Sequence, residues 1–359
     1  MNEIQVSLGS RSYPIVIGSG WLGRIGERVR LAVGAKATRA AIVSDSRVAP
    51  LYVPTVSASL AEAGFTVAEI QIPEGEQHKN LAWLALLYDR LIGARIDRSC
   101  PVVAVGGGVI GDLAGFAAAT IFRGVPFVQV PTTLLAQVDA SVGGKTGINH
   151  AAGKNLVGAF HQPRLVAIDL ATLKTLPKRE YLSGLAEVVK YGAILDAALF
   201  ERLESNVDGL LKLDAELLAE VVMASCRLKA MVVEADETEG DYRAILNFGH
   251  TVGHAIETLT EYRRLLHGEA VSIGMICAAR VSRARGLLAE APAKRLERLL
   301  DALGLPTRVP SDLTVEQVAL TIEADKKAAG GKIKFVALQD IGRTRFEPLL
   351  ATEIAAAAI

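Results

Sequence analysis

Between Arg39 and Pro177 short β-branched runs alternate with amphipathic helical stretches, and beyond Pro177 the alternation stops. Ala40 to Val43, Phe65 to Ile72, Val102 to Val105, Val125 to Val130 and Leu165 to Asp169 read as strands, with Val53 to Ala63 and Leu81 to Gly93 as helices. A chain with that rhythm has few options: each strand returns parallel to the last through a helix, giving a largely parallel, Rossmann-like sheet. Ligands of such sheets bind beyond the carboxyl ends of the strands. Met1 to Gly20 alternates polar and apolar residues and reads as a strand pair. After Pro177 the helical period dominates, in Glu180 to Leu195, Ala215 to Ala235 and Ala293 to Leu303. A late hairpin is expected at Ile333 to Leu338 and Thr344 to Phe346, and Ile354 to Ile359 reads as the end of the last helix. The expectation is an α/β domain over residues 1–177 and a mostly α-helical domain over 178–359.

The chain's 359 residues suffice for two domains, each with its own core. Lys plus Arg and Asp plus Glu both number 39, so no basic excess points to nucleic acid or a membrane surface. Cys100, Cys226 and Cys277 are odd in number and far apart, which argues against a disulfide framework or a Cys-rich zinc knuckle. The N-terminus lacks a basic start and apolar core, and runs such as Leu113 to Phe122 are too short to cross a bilayer. A soluble, cytoplasmic protein is expected.

Gly106-Gly107-Gly108-Val109-Ile110-Gly111-Asp112 follows one strand and precedes the helical run Leu113 to Thr120, matching GxGxxG. Glycines there let a pyrophosphate approach backbone N–H groups at a helix start. The loop follows the third strand of the α/β run, however, and no acidic residue stands about twenty positions later to hold a ribose. Asp45, at the end of an earlier strand, could serve instead; a tight turn that merely packs helix on strand is the alternative. Thr132 and Thr133 close another strand, and Asp139, Lys145, Lys154 and Asn155 occupy a Gly-rich stretch. That stretch is no Walker A loop, because Asp139 stands where GxxxxGK needs its first glycine. Its lysines suit an anionic small molecule, with solvated loop lysines as the alternative.

Three of the six histidines, His250, His254 and His267, fall close together. On a helix His250 and His254 would share one face with Asn247, a spacing at which two imidazoles can meet one ion. His267 and a carboxylate from elsewhere are candidates for a third ligand; ordinary buried or capping histidines are the alternative. Gly249 and Gly253 weaken a helix unless something packs closely on its backbone. Glu187 and Lys190 lie at i and i+3 among apolar neighbours, pointing to a metal ligand beside an anion-binding lysine, against the commoner exposed ion pair.

Together these stretches resemble the 3-dehydroquinate synthase family of sugar phosphate cyclases. The resemblance is carried by Glu74 to Lys79, Gly106 to Asp112, Arg123-Gly124-Val125, Pro131 to Asp139, Gly143 to Thr146, Lys154-Asn155, Ala186 to Gly192, Asn247 to Glu257, His267 to Ala270 and Asp325-Lys326-Lys327. It implies Glu187, His250 and His267 as ligands of one divalent ion, zinc or cobalt, leaving His254 to meet substrate. It implies an NAD site at Asp45, Glu74, Gly75, Glu76, Gln77, His78, Lys79, Gly108, Val109, Ile110, Gly111, Asp112, Thr132, Thr133, Lys145, Lys154, Thr172, Leu173, Lys174 and Thr175. The substrate residues it implies are Asp139, Lys145, Asn155, Lys190, Lys229, Arg243, Asn247 and His254, with Lys326 or Lys327, and Arg123 reaching in from the second subunit of a homodimer.

The implied reaction turns 3-deoxy-D-arabino-heptulosonate 7-phosphate into 3-dehydroquinate and phosphate, through transient NAD oxidation, elimination, re-reduction, ring opening and aldol closure. Related cyclases act on sugar phosphates without a carboxylate; Lys229, Arg243 and His254 favour the dehydroquinate reaction. A metal-dependent polyol dehydrogenase and a non-catalytic NAD or sugar-phosphate sensor are the rival readings.

Overall fold

The computed structural model describes residues 1–325 and 331–359, so Lys326 and Lys327 lie outside the described residues. Among the described residues the strands are β1 (Asn2–Val6), β2 (Tyr13–Gly18), β3 (Arg39–Asp45), β4 (Thr66–Ile72), β5 (Val102–Gly106), β6 (Phe127–Pro131), β7 (Lys145–His150), β8 (Gly153–Phe160), β9 (Leu165–Asp169), β10 (Ile333–Asp340) and β11 (Arg343–Leu349). Helices α1 (Ile25–Val33), α2 (Ala49–Glu62), α3 (Leu81–Gly93) and α4 (Gly108–Thr120) alternate with the first strands. Then come α5 (Lys178–Leu195), α6 (Ala197–Ser205), α7 (Val207–Leu211), α8 (Ala215–Ala235), α9 (His250–Leu259), α10 (His267–Ala284), α11 (Glu290–Ala302), α12 (Val315–Asp325) and α13 (Ala351–Ala358).

The chain clusters into two compact units, residues 1–176 with 225–238, and residues 177–224 with 239–359. A single cut after residue 177 would place 225–238, the C-terminal part of α8 and the turn after it, in the second unit; the structure clusters it with the first. No described helix is long and apolar enough to cross a membrane.

In the first unit seven strands form one sheet in the order β1-β2-β9-β6-β5-β3-β4, antiparallel only between β1 and β2. Its middle strands are buried on both faces, which is why they read as unbroken apolar runs. Alternate residues serve opposite cores: Ala41, Val43, Val102 and Ala104 pack with α3 and α4, while Ala40, Ile42, Val103 and Val105 pack with α1 and α2. From β3 the chain steps outward to β4, then returns to place β5 on the other side of β3. That reversal opens a crevice outside the carboxyl ends of β3 and β5, the position at which such sheets bind ligands. Since Ser44 pairs with Val105, Asp45 and Gly106 lie side by side at its mouth.

The hairpin of β7 and β8 was not expected from its glycine-rich sequence. Its glycines are there because the strands touch: Gly147 pairs with Gly158, and a Cβ on Gly158 would lie 2.1 Å from the Thr146 carbonyl oxygen. Residues with low strand propensity thus form a strand pair through close backbone approach.

His161, just after β8, donates from Nε2 to the Val125 carbonyl at 2.9 Å. Burial holds its pKa below the usual imidazole value, the bond to Val125 opposing and Arg164 reinforcing that shift. The unfolded chain, with an imidazole near about 6.5, therefore binds more protons as pH falls, so stability present at neutral pH is lost on acidification. Between pH 7 and pH 5 the melting temperature of His161→Gln is expected to fall less than that of the wild type; parallel falls would remove His161 from the account.

Candidate metal centre and nucleotide site

In the second unit the positions of three helices are set by glycines. A Cβ on Gly268, in the first turn of α10, would lie 1.9 Å from the Ser183 carbonyl oxygen of α5. One on Gly274 would lie 1.9 Å from the oxygen of Gly249, which precedes α9 with φ 79°. Only hydrogen fits at these crossings, and the helices approach backbone to backbone. Gly253, expected to face a close neighbour, meets the Ala270 carbonyl of α10.

That approach brings Glu187 of α5, His250 of α9 and His267 of α10 together, with one donor atom from each within 4.8 Å of the others. Glu187 Oε1 lies 3.5 Å from Nε2 of His250 and 3.5 Å from Nε2 of His267. Ligand bonds of about 2.1 Å around a tetrahedral zinc put its donors about 3.4 Å apart, so this spacing fits such an ion. Each imidazole is oriented through its other nitrogen. Nδ1 of His250 lies 3.1 Å from the Phe248 carbonyl, and Nδ1 of His267 lies 3.1 Å from Glu257 Oε2. Glu257 was given no role in the sequence reading, because its partner lies on another helix.

His250 and His254, at i and i+4, do not fall in the same donor trio. Their rings are 5.2 Å apart, and His254 instead forms a second possible trio with Glu257 and His267. Asn247 does not share the helix face: it ends the 3-10 turn Tyr242–Asn247, with Gly249 in the left-handed region before α9 begins at His250.

Lys190 forms an ion pair with Glu187, and both are fully buried, so this is not the exposed pair that i, i+3 spacing usually gives. Charge is strongly partitioned between the two imidazoles. Burial and then Lys190 hold His250 well below its usual pKa. Burial also opposes charge on His267, but hydrogen bonds to Glu187 and Glu257 override it and push the ring up to about 10. The carboxylates therefore favour a cation at this point, and hard oxygen with imidazole nitrogen is a donor set that zinc and cobalt accept. Arg243, also fully buried, lies in the turn that leads to α9, as does the half-buried Asn247.

In the first unit α4 starts at Gly108, inside the glycine loop and earlier than Leu113, and no side chain caps its N-terminus. Its first N–H groups thus form an anion-binding position. A Cβ on Gly111 would lie 2.7 Å from Gln129 Oε1, so that glycine lets α4 settle on β6. Val109 and Ile110 belong to the same first turn, with Ile110 buried. Among the described residues the buried Thr132 Oγ1 has no hydrogen-bond partner, a polar atom left for a ligand just past β6. Thr133 Oγ1 accepts from the N–H of Ala136 at 3.1 Å.

The segment Glu74 to Lys79 follows β4, with Gly75 at φ 112°, and is closed by its own contacts: Gln77 and His78 both reach the Glu74 carbonyl, and Glu76 accepts from Asn149. Lys79 is buried and joins Asp112 at 2.5 Å and Asn155 at 2.5 Å. Burial pushes the Asp112 carboxyl up, and Lys79 pulls against it. Asp45 Oδ1 accepts from the N–H groups of Arg47 and Val48, each at 2.9 Å. Thr172 and Leu173 are buried at the end of β9, Lys174 is exposed, and the Tyr52 hydroxyl meets Thr175.

Asp139 pairs with Lys229, while Lys145 and Lys154 lie on the β7–β8 hairpin. Arg123 is exposed and left-handed at φ 66°, between Phe122 at φ 50° and Gly124 at φ 113°. Such a run is costly for residues other than glycine, and costs of this kind collect at functional positions.

A two-unit chain with a largely parallel sheet, a glycine loop and a carboxylate–imidazole trio built on a buried glutamate defines a class of nucleotide- and metal-dependent enzymes. Family models described as 3-dehydroquinate synthase N-terminal and C-terminal match residues 69–183 and 184–328, and the chain belongs to the 3-dehydroquinate synthase family. It is 55% identical to the 3-dehydroquinate synthase of Citrifermentans bemidjiense, over 97% of this chain and 95% of that one. Among solved structures, 2-deoxy-scyllo-inosose synthase complexed with carbaglucose-6-phosphate, NAD+ and Co2+ superposes with a TM-score of 0.89 at 28% identity, covering 99% of each chain. The 2-epi-5-epi-valiolone synthase of Streptomyces hygroscopicus subsp. jinggangensis, with NAD+ and Zn2+ bound, gives 0.87 at 29%, covering 98% of this chain and 97% of that one. A probable glycerol dehydrogenase of Sinorhizobium meliloti, 16% identical with a TM-score of 0.70 over 96% of this chain and 94% of that one, shares the fold alone.

Because Gly268 leaves no room for a methyl group, Gly268→Ala is expected to destabilise the protein by about 1–3 kcal/mol and to weaken metal binding as α10 shifts from α5. Wild-type melting and wild-type metal affinity together would show that the crossing does not hold the trio.

Proposed function

We propose that this chain catalyses the 3-dehydroquinate synthase reaction, converting 3-deoxy-D-arabino-heptulosonate 7-phosphate into 3-dehydroquinate and inorganic phosphate. The observation that carries the reading is the trio of Glu187, His250 and His267 with Lys190 buried against its carboxylate, in a chain 55% identical to a 3-dehydroquinate synthase over nearly its whole length. The trio would hold one divalent ion, zinc or cobalt. The α4 N-terminus over Gly108 to Asp112, with Thr132, Thr133, Asp45 and the segment Glu74 to Lys79, would hold NAD; Lys145, Lys154 and Thr172 to Thr175 complete that set. Held by these residues, NAD would supply reversible hydride transfer and the divalent ion Lewis acidity, chemistry that would acidify the proton beside the oxidised carbon without net oxidation.

The chain's own groups handle charge and protons. Lys190 and Asn155 would stabilise the leaving phosphate, and Lys327 joins them by resemblance only. His254, on α9 and outside the trio of Glu187, His250 and His267, would pass protons, since imidazole acts as acid and base near neutral pH. Arg243 offers a planar fork suited to the substrate carboxylate, and Lys229, held by Asp139, offers a second cation; Asn247 would bind a hydroxyl. The exposed, left-handed Arg123 supports a homodimer in which it serves the partner's site. Three unpaired buried cysteines support a reducing cytoplasm, and the balanced charge supports a small-molecule enzyme with no nucleic-acid or membrane partner.

Metal-loaded enzyme with substoichiometric NAD is expected to release many phosphates per NAD from the heptulosonate phosphate, with no NADH accumulating. Net NADH formation from a polyol, without phosphate release, would instead establish the dehydrogenase reading. His254→Ala is expected to keep its metal while phosphate release slows about 10²-fold or more; undiminished turnover would exclude the proton role.

A further inference from the structure

The histidine-rich segment offers two overlapping donor trios, Glu187 with His250 and His267, and His254 with Glu257 and His267. They share His267 and differ in what Glu257 does. In the first, Glu257 holds the imidazole from behind; in the second, it is itself a ligand.

Glu257 lies seven residues after His250, two turns along α9 and on the same face. Its side chain is 6% exposed, and its Oε2 lies 3.1 Å from Nδ1 of His267. The opposite nitrogen of that ring, Nε2, lies 3.5 Å from Glu187 Oε1. His250 repeats the arrangement, with Nδ1 on the Phe248 carbonyl and Nε2 3.5 Å from the same Glu187 oxygen. Both rings thus have Nδ1 engaged by an acceptor and Nε2 turned to one point, a pattern that specifies the tautomer as well as the direction.

We propose that Glu257 is a positioning residue, which accepts from Nδ1–H of His267 and so presents Nε2 to a metal ion held with Glu187 and His250. The inference rests on the functional reading above for the presence of the ion. Its carboxylate makes His267 a stronger donor than His250, whose Nδ1 meets a neutral carbonyl.

The test is the affinity of the full-length enzyme for Zn2+, measured by competition with a chromogenic chelator, together with the visible spectrum of the Co2+-loaded form. Glu257→Gln keeps an acceptor oxygen and is expected to bind a few-fold more weakly, with the cobalt spectrum unchanged. Glu257→Ala is expected to bind about 10–100-fold more weakly, still with one ion and the same spectrum. Glu187→Ala is expected to lose the ion. Melting of the metal-free forms separates a folding defect from a lost orientation, and Glu257→Gln carries the test should Glu257→Ala not fold. Wild-type affinity in Glu257→Ala overturns the proposal, and so does loss of the ion from Glu257→Gln while Glu187→Ala retains it, which makes Glu257 a ligand. A wild-type enzyme that binds Zn2+ but releases no phosphate would sink the functional reading and leave these affinities to decide the role of Glu257.

Discussion

The site in the second unit depends on backbone contact between helices. Donors carried by three separate helices reach one ion only if the helix axes are close, and ordinary side chains at the crossings would keep them apart. Here Gly268 meets the Ser183 carbonyl and Gly274 meets the Gly249 carbonyl, with space for hydrogen alone. Glycine costs a helix about 1 kcal/mol relative to alanine. In α9 and α10 that cost is offset by packing, and its return is a fixed separation between Glu187, His250 and His267.

Electrostatics follows from this geometry. Packing at the crossings removes water from Glu187, and a carboxylate so buried must be matched by positive charge. Lys190 supplies part of it from one turn along α5. The two imidazoles then respond in opposite ways: His250, buried near Lys190, is kept neutral, and His267, between two carboxylates, is the ring on which positive charge is favoured. Two chemically identical side chains differ through their surroundings, burial and Lys190 for His250, and the carboxylates of Glu187 and Glu257 for His267.

The first unit was largely legible because buried parallel strands leave continuous β-branched runs, and β3, β5, β6 and β9 lie where those runs are. The odd placement of the glycine loop was legible only in part. Asp45 sits far from Gly106 in sequence, and the sheet order makes them neighbours. The β7–β8 hairpin was hidden because Gly147 and Gly158 remove the strand signal at the very pair that requires close approach. In the second unit, spacing suggested His250 with His254, since periodicity registers only neighbours along one helix. The partnerships of His250 with Glu187 and His267 are made across helices. They entered the sequence reading through family resemblance, and Glu257, for which no role was carried over, stayed unread.

Likeness of fold to a probable glycerol dehydrogenase at 16% identity shows how little the scaffold decides. A parallel sheet with an open helix N-terminus can serve net oxidation or a hydride that is lent and returned. The choice must come from groups able to carry a leaving phosphate and a substrate carboxylate. Under the proposed function buried cations would do such work: Lys190 beside Glu187, Lys229 beside Asp139, and Arg243 at 1% exposure. Burying an ammonium or guanidinium is unfavourable unless a partner offsets it, as Glu187 does for Lys190 and Asp139 for Lys229. Beside the metal donors, these buried cations are what would favour elimination of phosphate from an acidic sugar over net oxidation of a neutral one.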